Sequence, residues 1–200
     1  QIDAQQNTTA FLVVEVTAPE DTEQTPRPTQ PLNLALVIDA SGSMAGSTTD
    51  DQEGDEETSR LAAAQRAACG IIERLDSADI LSVVSFADDT LTHIAAMRMS
   101  GGGKEAAMDA IGSLSTRGIT DLNGGWLKGA EHVARHMAQH PGTRNRVLLL
   151  SDGHANQGVT EPDLLADTAV GLRNRGIFTS TVGIGLDYST HLLQLGQEQL

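Results

Sequence analysis

Asp39, Ser41 and Ser43 stand two residues apart in Asp39-Ala-Ser-Gly-Ser43, and two more oxygen-rich fragments, Thr120-Asp121 and Ser151-Asp152-Gly153, lie far along the chain. Side chains spaced two apart on a loop leaving a strand can point to one side. Alone, such a triplet is an ordinary serine-rich turn. With the other two fragments it supplies hydroxyl and carboxylate oxygens enough to surround one divalent cation. The candidate metal residues are therefore Asp39, Ser41, Ser43, Thr120 and Asp152. Because neither His nor Cys is among them, the set favours a hard ion, Mg²⁺ or else Mn²⁺ or Ca²⁺, over Zn²⁺. If the three hydroxyls bind directly, the aspartates act through water or hydrogen bonds. A cation held by neutral oxygens keeps most of its pull on an anion, and an open position on it suits the carboxylate of a partner.

Buried strands must bring these fragments together. Asp39 follows the apolar run Leu34-Ala-Leu-Val-Ile38, and Ser151 follows Val147-Leu-Leu-Leu150. Further strands are expected over 79–86, 90–97 (the shorter partner of 79–86) and 178–182. Apolar residues recurring at three and four positions predict a helix over 59–75. Others are expected over 104–114, 122–139 and from Pro162 to 174, with Pro in the favoured first turn and Gly176 beyond the end. A last helix begins near Ser189. Strands alternate with helices, and the core strands are uninterrupted apolar runs, so the fold class is α/β. It is a mostly parallel sheet with helices on both faces. Ahead of it, residues 1–30 read as a strand at 11–17 and a Pro- and Thr-rich linker; residues 31–200 form the main domain.

Composition narrows the possible partners. Thirteen basic against 27 acidic residues give a formal net charge of −14, which would repel nucleic-acid phosphates and anionic membrane surfaces. No apolar run approaches the length of a membrane span. With Cys69 as the only cysteine, no disulfide forms within these residues, in keeping with a reducing compartment. Six acidic residues between Asp50 and Glu57 lack the Gly and ligand positions of an EF-hand and read as a solvated loop.

Other motifs fail on spacing. Ser100-Gly-Gly-Gly-Lys104 has Arg98 and Glu105 where a phosphate loop needs Gly and Ser or Thr, so a turn into a helix is expected. Gly183-Ile-Gly185 has Tyr188 in place of the third Gly of a dinucleotide fingerprint. Neither Ser41 nor Ser43 sits in Gly-x-Ser-x-Gly, and Ser41 replaces the second Asp of a phosphatase Asp-x-Asp.

The chain from Leu32 onward resembles the von Willebrand factor type A domain and its metal-ion-dependent adhesion site, in the form found in bacterial proteins. The resemblance rests on Asp39-Ala-Ser-Gly-Ser-Met44, Ser85-Phe86, Gly118-Ile-Thr-Asp-Leu122, Gly124-Gly-Trp-Leu-Lys-Gly129, Arg146 to Gly158, and Ser180-Thr-Val-Gly-Ile-Gly185. It implies direct ligation by Ser41, Ser43 and Thr120, with Asp39 and Asp152 acting mainly through water. It also implies a doubly wound, Rossmann-like sheet with one antiparallel edge strand, 90–97, and the strands before Asp39 and Asp152 as neighbours where strand order reverses. A final strand and helix of the family have no counterpart before Leu200. Ile119 replaces a Gly common in the threonine loop, and His154 falls beside the site, where a surface-loop residue is expected.

The function implied is a non-enzymatic, cation-dependent module that binds a protein ligand presenting Asp or Glu. Two rivals stand beside it: a metal-dependent hydrolase, and a structural domain whose ion only staples loops.

Overall fold

The computed structural model of the chain describes residues 30–48, 58–153 and 157–185. The expected 11–17 strand, the 50–57 acidic loop, His154 and the helix from Ser189 lie outside them. Five strands form one sheet: β1 (Leu32–Asp39), β2 (Ile80–Phe86), β3 (Thr90–Arg98), β4 (Arg144–Ser151) and β5 (Ile177–Gly183), in the order β3-β2-β1-β4-β5. β1 is parallel to β2 and β4, and β4 to β5; only β3 runs antiparallel, at the edge. Its nine residues make β3 longer than β2, not shorter as the sequence suggests, because a register shift lets it continue past the apolar stretch to Arg98.

The helices are α1 (Arg60–Arg74), α2 (Gly103–Gly112), α3 (Leu122–Gln139) and α4 (Pro162–Asn174). The pleat of β1 assigns them to faces. Leu34, Leu36 and Ile38 pack with Leu61, Ala64, Ala68 and Ile72 of α1 and with Ala107 and Ile111 of α2. Ala35 and Val37 point the other way, to Trp126, Ala130 and Val133 of α3 and Leu165, Ala169 and Leu172 of α4. Alternating side chains of one central strand thus anchor two helical layers. Among the described residues no helix is long and apolar enough to cross a membrane.

α3 packs tightly on the sheet, and small residues make that possible. A Cβ on Gly129 would stand 2.3 Å from Val37 Cγ2, and one on Gly125 would stand 2.5 Å from the Phe86 ring. Trp126, fully buried between them in sequence, donates from Nε1 to Thr179 Oγ1 at 3.0 Å, tying α3 to β5. The helix whose first residue follows Thr120-Asp121 is thereby fixed against the strands that end in Asp39 and Ser151.

Candidate metal centre

β1 and β4 are neighbours whose carboxyl ends lie level, with Ile38 opposite Leu150. From β1 the chain moves outward to β2 and β3, then returns across the sheet to β4. This reversal leaves a crevice beyond the carboxyl ends of β1 and β4, the position where open α/β sheets bind ligands.

Asp39, wholly buried, is the last residue of β1. Its Oδ1 accepts a hydrogen bond from the Ser41 backbone N–H at 2.9 Å, an Asx-type turn that swings the chain off the strand. Its Oδ2 accepts from Ser151 Oγ at 2.6 Å, which joins the ends of β1 and β4. Burial raises the Asp39 pKa above the usual carboxylate value; hydrogen bonds from Ser151 and Ser41 oppose the shift, and the nearby Asp152 charge adds to it. A buried carboxylate in that condition gains from a positive charge placed beside it.

Ser41 leads into a short 3₁₀ turn, Gly42–Ala45, pinned by the fully buried Met44. The turn brings Ser41 Oγ to 3.0 Å from Ser43 Oγ. Thr120, buried, arrives on a separate loop stitched to this turn. Arg117 N–H donates to Ala40 O at 2.7 Å and Gly42 N–H to Gly118 O at 3.1 Å. The latter needs a glycine: Gly118 has φ +52°, and a Cβ there would lie 2.0 Å from the Asp88 carboxylate. Beyond Thr120, the Asp121 N–H donates to Ala87 O and Gln157 N–H to Thr120 O. Ile119 is half exposed on this loop.

Asp152, almost fully buried, follows β4, and its Oδ2 accepts from Arg60 Nη1 at 3.0 Å. All five predicted residues therefore sit at the carboxyl ends of β1 and β4 or on the loop bonded to them. Asp121 does not join them. Its Oδ1 accepts from Gly124 N–H at 3.0 Å, so it caps the start of α3. Replacing it with Ala is expected to cost about 1 kcal/mol of stability in urea unfolding while leaving cation affinity within twofold. A tenfold loss of Mn²⁺ affinity would instead add Asp121 to the ligand set. Two contributors escape the sequence reading as individual residues, Ser151 as the latch on Asp39 and Arg60 as the partner of Asp152.

The donor set fits a hard divalent ion. Cis ligands on an octahedral ion with bonds of 2.0–2.1 Å stand about 3 Å apart, the separation found between the two serine hydroxyls. Among the described residues, no three His, Cys, Asp or Glu side chains cluster to hold a metal. A cation here would rely on hydroxyl oxygens plus two carboxylates, chemistry that suits Mg²⁺ or Mn²⁺ better than a soft metal.

Comparison with known proteins agrees with this architecture. The sequence description of the von Willebrand factor type A domain matches residues 33–200. The uncharacterized protein YfbK of Escherichia coli (strain K12) is 30% identical over 153 residues, covering 76% of this chain. The chain spans only 24% of YfbK's length. Two solved structures share the fold at low identity. Proximal thread matrix protein 1 from the mussel byssus, described with a zinc-occupied MIDAS motif, superposes with a TM-score of 0.62 at 18% identity, over 84% of this chain and 41% of its own. The manganese-loaded TRAP protein of Plasmodium vivax gives 0.61 at 20% identity, over 86% and 64%.

Proposed function

The chain belongs to the von Willebrand factor type A domain family, and we propose that it is a divalent-cation-dependent protein-binding module that captures an Asp or Glu carboxylate of a partner. The observation that carries this reading is the pair of serine hydroxyls 3.0 Å apart at the end of β1, beside the buried carboxylates of Asp39 and Asp152. In it, Ser41, Ser43 and Thr120 hold the ion directly, and Asp39 and Asp152 stabilise it through water or hydrogen bonds. The ion is Mg²⁺, with Mn²⁺ or Ca²⁺ as substitutes. When bound it supplies a Lewis-acid position for an incoming carboxylate oxygen.

The protein's own groups favour binding over catalysis. Both oxygens of Asp39 accept hydrogen bonds and one of Asp152 holds Arg60, so neither is poised as a general base for hydrolysis. The net charge of −14 repels an acidic partner at long range, so the local cation must supply the attraction. No nucleic-acid partner is expected from a surface of that sign.

Affinity capture from a lysate of the source organism, run in Mg²⁺ and in EDTA, tests the reading. A protein retained in Mg²⁺ and released by EDTA, and not retained by Asp39→Asn, is the expected result. Capture indifferent to EDTA contradicts it. If the ion only staples loops, Ser43→Ala lowers thermal stability without weakening that partner.

A further inference from the structure

We propose that Arg60 is a built-in counter-charge of the metal crevice: it lowers the site's affinity for the cation and keeps the loaded site net positive toward an incoming carboxylate. The inference rests on the metal-binding reading above and concerns a residue outside the ligand set.

Arg60 opens α1 directly after its N-cap, Ser59, whose side chain accepts from Ala62 N–H at 3.1 Å. Its own N–H donates to Gly46 O at 2.8 Å, so the helix start is fastened to the loop that carries Ser41 and Ser43. The side chain is 17% exposed, and Nη1 reaches Asp152 Oδ2 at 3.0 Å. Its Nε is buried and finds no acceptor among the described residues. An arginine present only to brace Asp152 would have its donors used more fully. Here the charge is held close to the crevice while its hydrogen-bonding capacity is left partly unspent.

The backbone is shaped to admit this group. Gly185, after β5, has φ +95°, and a Cβ there would stand 2.9 Å from Arg60 Nε and 3.6 Å from Cζ. A side chain at Gly185 would displace the guanidinium. Elements far apart in sequence therefore converge to place one positive charge on one buried carboxylate.

Charge counting gives the consequence. Asp39 and Asp152 with Arg60 leave the crevice one net negative charge; a divalent cation turns this into one net positive charge. Without Arg60, the same loading would end at neutrality. The guanidinium thus repels the cation modestly and leaves the loaded site electropositive. It also compensates the two buried carboxylates when no cation is bound, where their mutual repulsion would otherwise be unopposed.

Mn²⁺ alone is the probe, measured by calorimetric titration of the wild-type chain and of Arg60→Gln and Arg60→Lys. Removing the charge is expected to tighten Mn²⁺ binding about 10-fold, whereas Lys stays within about threefold of wild type. In EDTA, Arg60→Gln melts below wild type, and its gain in Tm on adding Mn²⁺ exceeds the wild-type gain. A brace for Asp152 predicts the opposite sign, so a folded Arg60→Gln protein that binds Mn²⁺ equally or more weakly overturns the proposal. Arg60→Met serves as the second variant if the Gln protein does not fold. Wild-type protein that binds no Mn²⁺ removes the metal-binding reading itself, a failure distinct from this one.

Discussion

Asp39→Asn is expected to weaken Mn²⁺ or Mg²⁺ binding roughly 100-fold, about 2.7 kcal/mol, while leaving the cation-free protein as stable as wild type or more so. The two halves of this result have one cause. Asp39 is wholly buried, and desolvation raises its pKa, so its charge is a burden on the empty fold. Asparagine keeps the shape and can still accept from Ser41 N–H, but it brings no charge into the crevice. At an effective dielectric near 20, unit charges 4 Å apart interact by about 4 kcal/mol. A divalent ion reached through water falls in the same range after screening. Isothermal titration gives the first half and melting in EDTA the second. A variant that binds Mn²⁺ as wild type does would mean that the Asp39 charge does not serve the ion.

The second large effect concerns stability. Trp126→Ala should cost about 3–5 kcal/mol, lowering Tm by roughly 6–20 °C for a domain of this size. The indole is fully buried against β1, β2 and β4 residues. It cannot be backfilled, because Gly125 and Gly129 hold α3 tight to the sheet around it. The substitution also leaves the buried Thr179 hydroxyl without its donor. Trp126→Phe keeps most of the volume but not the hydrogen bond and should fall in between. Urea unfolding measures both. A loss below 1 kcal/mol for Trp126→Ala would show that α3 is not anchored there.

The helices and the sheet class were legible because their signals are local. α3 and α4 begin and end where periodicity, Pro162 and Gly176 place them. The buried strands were visible as apolar runs, but their polar ends were not. β4 starts at Arg144, three residues before its apolar stretch, because Arg144 N–H pairs with Pro31 O and Asn145 bonds to Asn33 across the ladder. Pairings of that kind depend on a strand 112 residues away and leave no mark on hydropathy.

At the site, residue types showed the oxygen set, whereas division of labour among the oxygens needed coordinates. Asp121 shares an oxygen-rich fragment with the candidate ligand Thr120, but it stands immediately before the first residue of α3 and caps that helix. Asp152 was a candidate in the sequence, whereas its neighbour Ser151 had no assigned role. The fold turns Ser151 into a hydrogen-bond latch and gives Asp152 an arginine. Arg60 was invisible because its partner lies 92 residues on, and nothing local distinguishes it from any basic residue at a helix start.

The anomalous signal of a crystal grown with Mn²⁺ tests the central claim most directly. A single peak about 2–2.3 Å from Ser41 Oγ, Ser43 Oγ and Thr120 Oγ1, with Asp39 and Asp152 within water-mediated reach, is the predicted result. A peak bound elsewhere on the chain, with no density at these hydroxyls, would contradict it.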